Sequence, residues 1–138
     1  MSFYDKFKPE RYTIKEFKNW IVVLRMKQKT LGSAVIILKR QVGSIGDATG
    51  DELSEFPTVV RWYEEKCKKL FGAEKFNYLA AMMKDNFVHF HAFPRYSKEL
   101  NFADVCWKDE DWPRPVNPAG AETDLTVLEK ILNEFKNS

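Results

Sequence analysis

Histidine and cysteine are scarce in this chain, two of each in 138 residues, and neither type forms a framework. Cys67 and Cys106 stand alone with no C-x-x-C pair, so the sequence offers neither a disulfide scaffold nor a thiolate zinc site. It also lacks a basic leader followed by an apolar stretch and a cleavage site, and with unpaired cysteines this leads to the expectation of a reducing, cytoplasmic location. Long apolar runs are missing: the longest, 21–24 and 34–38, fall far short of the ~20 residues a membrane span needs, so no membrane association is expected. Charge of one sign is not in excess either. A net charge of +2 with 30% charged residues argues against a dedicated nucleic-acid binder. The glycines at 43, 46 and 50 do not have the spacing of a phosphate-cradling loop.

What is present fits one α+β domain over residues 1–138. Residues 1–11 show no period and read as an irregular lead-in, and 12–18 read as a short strand or one helical turn. Trp20–Leu24 is β-branched and aromatic, hence a strand, and Leu31–Leu38 is a nearly continuous apolar strand ending in Lys39-Arg40. Basic residues also cluster at 25–29 and 66–69, where they read as solvated faces. Thr49 and Glu52 make a capping-box pattern. After it Leu53, Phe56, Val60, Tyr63, Cys67 and Leu70 mark a helix stripe, with Cys67 a small core residue. Pro57 interrupts that stripe, so the helix either begins late with Ser54 as its cap or kinks at the proline. Phe76–Met83 reads as a strand, 84–86 as a tight turn, and Phe87–Phe93 as the antiparallel partner. A proline-rich loop covers 108–122, and a helix over 123–136 carries Leu125, Leu128, Ile131, Leu132 and Phe135 on one face, to cover a sheet or meet another subunit.

Both histidines fall in the run 86–96, at positions 89 and 91. On a strand, residues two apart share a face, about 6.6–6.8 Å from each other, so His89 and His91 present two imidazoles side by side, with Phe87 and Phe93 on the same face. Val88, Phe90 and Ala92 point the other way, into a core, and fix the register. From the spacing alone the pair can be two half-buried strand histidines, two zinc ligands, or a nucleophile with a proton donor. The zinc reading lacks a third ligand at a telling spacing, since only Cys106, Asp109, Glu110 and Asp111 lie nearby in sequence.

The run Phe87-Val88-His89-Phe90-His91-Ala92-Phe93-Pro94-Arg95-Tyr96, preceded by Phe76-Asn77-Tyr78, resembles the signature strand of the histidine triad superfamily, H-φ-H-φ-H-φ-φ. The proline-arginine-tyrosine ending is similar to its diadenosine tetraphosphate hydrolase-like branch. The tryptophan strand, Thr30-Leu31-Gly32 and Asp47-Ala48-Thr49 agree, and the likeness spans roughly 12–107. It implies an antiparallel sheet of about five strands flanked by helices, usually in a homodimer, that cleaves a nucleotide phosphoanhydride or phosphoramidate through a nucleotidyl-histidine intermediate. The substrate is then a nucleotide or dinucleoside polyphosphate, with no cofactor and no metal. By motif position His89 is the nucleophile, His91 binds phosphate and assists the leaving group, and Asn77 contacts the ribose-phosphate region. Ser33, Lys39 and Arg40 are further candidates for substrate contact, and Arg95 is a candidate for polyphosphate contact or, in preference, a structural residue.

The departures from the motif define an alternative. Phe87 stands where the first histidine of the triad belongs, Gln41 and Ser33 where members carry other histidines, and Met83 where many place a phosphate-binding glutamine. Loss of one such donor costs roughly 10²- to 10³-fold in rate. The alternative is a catalytically impaired nucleotide-binding or regulatory protein on the same fold.

Overall fold

The computed structural model describes residues 6–138. The lead-in expected over 1–11 therefore lies partly outside the described residues, and its described part is more ordered than the sequence suggests. A short helix α1 (Pro9–Tyr12) starts on the fixed φ of Pro9 and is followed directly by strand β1 (Thr13–Glu16). Strands β2 (Trp20–Leu24) and β3 (Ala34–Leu38) are buried along their whole lengths. Strands β4 (Lys75–Leu79) and β5 (His89–Arg95) complete a five-stranded antiparallel sheet in the order β1-β2-β3-β5-β4. The α+β architecture is the one expected.

The second strand of the sequence reading is shorter than expected at its start. Leu31, Gly32 and Ser33 form a turn, because Gly32 takes φ +92°, a conformation disfavoured for side-chain-bearing residues, and the phenol of Tyr63 donates to its carbonyl at 2.6 Å. A Cβ at this position would also meet the Pro94 ring at 3.3 Å. Pro94 lies inside β5 rather than closing it. The β3 ladder reaches only from His89 to Ala92, so the proline falls beyond it and breaks no bond to that neighbour.

Helix α2 (Gly50–Phe71) begins at the capping box, where Thr49 accepts from the Glu52 amide and Glu52 accepts from that of Thr49. The late start at Ser54 is thus corrected: two reciprocal cap bonds anchor the first turn, and Pro57 is carried inside the helix. Pro57 removes the bond to the Leu53 carbonyl, and both residues are on the exposed side. Tyr63 and Cys67 are buried on the stripe as expected, whereas at its flanks Val59 and Phe71 are buried more deeply than Val60 and Leu70, and Leu53 is exposed. Through Phe56, α2 covers the sheet face that carries Trp20 and Phe90, with ring centroids 4.8 Å apart in both pairs.

The strand before the histidines ends at Leu79, so the connection to β5 is a loop over residues 80–88 instead of a three-residue turn. A small hairpin of β6 (Leu100–Phe102) and β7 (Val105–Trp107) follows β5. Helix α3 (Leu125–Lys136), capped by Asp124, buries Leu128, Ile131, Leu132 and Phe135 within this same chain, while Leu125 stays exposed. Phe135 meets Phe71 of α2 edge-on at 5.6 Å. Among the described residues no helix is long and apolar enough to cross a membrane.

Candidate active site

Strand β5 is held from both sides, His91 opposite Val35 on β3 and Leu79 on β4, and His89 opposite Ile37. Its aim is therefore set by two ladders. The rings of Phe87, His89, His91 and Phe93 follow one another along one face, at centroid separations of 4.6, 5.2 and 6.3 Å. Phe90 turns to the helix side, as the period of two requires.

His89 is oriented by the backbone. Its Nδ1 lies 2.7 Å from the Phe87 carbonyl oxygen. A carbonyl only accepts, so Nδ1 carries the proton and the neutral ring keeps its lone pair on Nε2. The carbonyl is present whatever the side chain, so phenylalanine in place of histidine leaves this bond intact.

His91 is only partly exposed, and its Nδ1 is buried with no hydrogen-bond partner among the described residues. Burial first, and then the charges of Arg25 and Lys6 and that of His89 when it is protonated, together lower its pKa from 6.5 to about 4 against the opposing effect of Asp85. The ring is neutral near pH 7. Orphaned buried N–H groups are rarer than under-satisfied acceptors, which places the proton of the neutral ring on Nε2.

Beside His91 opens a cavity of about 360 Å³ lined by Lys6, Phe7, Arg25, Met26, Lys27, His91 and Glu122. Its cationic rim was not foreseen. Arg25 belongs to a cluster read as a solvated face, yet it follows Ile21 and Val23 at the strand period, and both lie opposite residues of the histidine face, so that period was the signal that could have found it. Phe7 caps the site, its ring 6.1 Å from His89 and 6.2 Å from both His91 and Phe87. In this arrangement His89 is only 2% exposed. Lys6 forms an ion pair with Asp85, which ties the 80–88 loop to the same edge, and Met83 in that loop is 80% exposed.

The other expected residues are placed differently. Asn77 lies opposite Phe93 and so shares the histidine face, but its Oδ1 accepts from Arg95 Nη1 at 2.5 Å and from the Val116 amide at 3.0 Å. It borders a separate cavity of about 290 Å³ with Lys75, Arg95, Trp112 and Arg114. Arg95 and Asp109 form a buried two-point ion pair, at 2.6 and 3.1 Å, and Asp109 also accepts from the Tyr96 amide. Ser33 is fully buried, donating to the Thr30 carbonyl at 2.7 Å. Lys39 pairs with Glu16 at 2.6 Å. Arg40 holds Glu52 and the Asp47 carbonyl, and its hydrogen bond brings the Glu52 carboxyl down to about 2, with the Thr49 amide assisting. None of these three lines the cavity beside His91. Cys106 is exposed near Glu99, and among the described residues no three metal-ligating side chains cluster.

No family model matches the sequence, and no curated protein matches it. Solved structures do resemble the fold. A hypothetical histidine triad nucleotide-binding protein from Sulfolobus tokodaii superposes with a TM-score of 0.70 at 18% identity, over 91% of this chain and 81% of that one. A histidine triad protein from Marinobacter aquaeolei gives 0.72 at 15% identity, over 96% and 91%. One from Bradyrhizobium japonicum gives 0.71 at 16%, over 96% and 92%. With five antiparallel strands, the helices around them and both histidines on the interior strand β5, the chain has the histidine triad fold.

Proposed function

We propose that this protein binds nucleotides and hydrolyses a nucleotide phosphoanhydride or phosphoramidate, as in the diadenosine polyphosphate hydrolase-like branch, through an intermediate on His89. The observation that carries the reading is the 2.7 Å contact between His89 Nδ1 and the Phe87 carbonyl, which leaves Nε2 free to attack while a neighbouring imidazole stands 5.2 Å away. In the first step Nε2 forms a bond to the α-phosphorus and the bond to the leaving group breaks. With a bound phosphate adding negative charge beside it, His91 enters this step as an imidazolium, donates its Nε2 proton to the departing oxygen or nitrogen and is left neutral. Water then attacks the phosphorus, its proton returns to His91, and the nucleoside monophosphate and free His89 are released. A bound phosphate raises the low pKa of His91 by adding negative charge beside it.

Asn77 acts in this proposal through its amide nitrogen, since its oxygen is already held by Arg95 and Val116. Ser33, Lys39 and Arg40 contribute to the turn, the sheet edge and the helix cap that support the site. The histidine triad proteins of similar structure, one of them named as nucleotide-binding, support the same reading by fold. The protein works as a homodimer in this reading, with the edge strand β4 and its exposed Leu79 available for pairing; mass in solution by light scattering tests that part. Incubation with dinucleoside polyphosphates and with adenosine phosphoramidate tests the activity. Release of nucleoside monophosphate that survives in His89→Ala would refute the assignment.

A second reading is favoured by Phe7. Its ring closes over His89, which is the arrangement of a nucleotide-binding or regulatory protein that does not turn over. Calorimetric titration with AMP and ATP separates the two. Binding without turnover favours the second reading, and absence of binding removes both.

A further inference from the structure

Among the described residues the guanidinium of Arg25, which lines the histidine cavity, has hydrogen bonds only to neutral carbonyls. It donates to the Lys27 carbonyl at 3.1 Å and to that of Pro118 at 3.3 Å, and no carboxylate of the described residues lies within ion-pair distance of it. It is half-buried and lies 5.1 Å from the centroid of the Phe93 ring, which fixes its plane. Burial pulls its pKa down, a sign of desolvation without a compensating acid. A guanidinium retains its charge in such a place and presents a rigid fork of donors, which suits phosphate oxygens.

Its position along the face is informative. Phe93 lies four residues beyond His89 on the same strand, with His91 between them. Two residues along a strand correspond to about 6.6–6.8 Å, so the Arg25 fork sits past His91, away from the atom that His89 would attack. Lys6 and Lys27 line the same opening. A single phosphate at His89 stops short of this fork, whereas a chain of phosphates directed along the face past His91 runs toward it.

We infer that Arg25 is the specificity-determining residue of the site, holding a second phosphate beyond the one at His89 and so selecting ligands with a phosphoanhydride chain over those with a single phosphoryl group. This rests on the proposed nucleotide site for its biological meaning, but the binding itself needs neither a nucleoside nor turnover. Arg25 was absent from the candidates drawn from the motif, which offered Lys39 and Arg40 for the same duty. Both of those are committed to carboxylates elsewhere.

The test is calorimetric titration of the full chain with inorganic pyrophosphate and with inorganic phosphate, at fixed ionic strength, for wild type, Arg25→Gln and Arg25→Lys. Wild type should bind pyrophosphate roughly 10- to 100-fold more tightly than phosphate, the range expected when a charged donor gains a partner. Arg25→Gln should lose that difference while keeping its phosphate affinity, and Arg25→Lys, which keeps the charge without the fork, should fall between. Equal losses for both anions in Arg25→Gln would make Arg25 a merely structural tie to Pro118 and overturn the inference. So would an unchanged preference, or the absence of pyrophosphate binding in wild type. Pyrophosphate preference dependent on Arg25 in a protein that cleaves no nucleotide would uphold this inference and sink the hydrolase reading.

Discussion

Lowering the pH from about 7 to about 4 should destabilise the fold through His91 in particular. The ring is partly buried, its Nδ1 has no partner among the described residues, and Arg25, Lys6 and, when it is protonated, His89 add positive charge around it, so its pKa falls from 6.5 to about 4. Between those values the unfolded chain holds a proton on residue 91 that the folded chain does not. Stability is therefore unaffected by this residue above about pH 6.5 and declines as the pH falls, the loss being complete near pH 4. At ~1.4 kcal/mol per pH unit the gap amounts to ~3.5 kcal/mol at most, and partial solvent access to the ring brings the expected loss to about 1–3 kcal/mol. Urea denaturation of wild type and His91→Gln across this range measures it. The carboxylates held low by their partners, Glu52, Asp51, Glu74 and Asp111, are common to both proteins and cancel in the difference. An identical pH slope in the two proteins would refute the reasoning. Arg25→Gln should shift the His91 titration upward, read from the imidazole resonance, because the arginine charge opposes protonation.

Three other outcomes follow from the supporting structure. Asp109→Ala strands the Arg95 guanidinium in the interior and should cost about 3–5 kcal/mol in denaturant unfolding, whereas the double variant Arg95→Met/Asp109→Leu should recover most of it. Lys39→Ala with Arg40→Ala should leave anion binding at the histidine cavity unchanged in calorimetry while lowering stability through loss of the Glu52 partner; a large affinity loss would return these residues to the site. Phe87→Leu keeps the carbonyl that orients His89 and should leave nucleotidylation of His89 close to wild type, as followed by intact mass; abolition would show that the ring itself matters.

The histidine face was legible because a period of two needs only the local sequence, and Phe87, His89, His91 and Phe93 do line up as that period requires. The capping box was legible for the same local reason. Other features depend on partners distant in the chain. Arg25 reads as one of a basic cluster until β2 is placed beside β3 and β5, and Phe7 reads as lead-in until the segment folds over His89. Lys39 and Arg40 sit at a strand exit that suits a phosphate, but Glu16 and Glu52, which claim them, come from a neighbouring strand and from the helix start. The hairpin of β6 and β7 escaped notice because three-residue strands carry too few positions to show alternation.

The central claim, that His89 is a nucleophile aimed by a backbone carbonyl, is tested most directly by intact and peptide mass spectrometry after a brief incubation with a dinucleoside polyphosphate and acid quenching. The account predicts a nucleotidyl adduct on the peptide containing His89, absent in His89→Gln and accumulating in a variant that lacks His91. An adduct of undiminished amount in His89→Gln, or release of nucleoside monophosphate with no adduct in any variant, would contradict it.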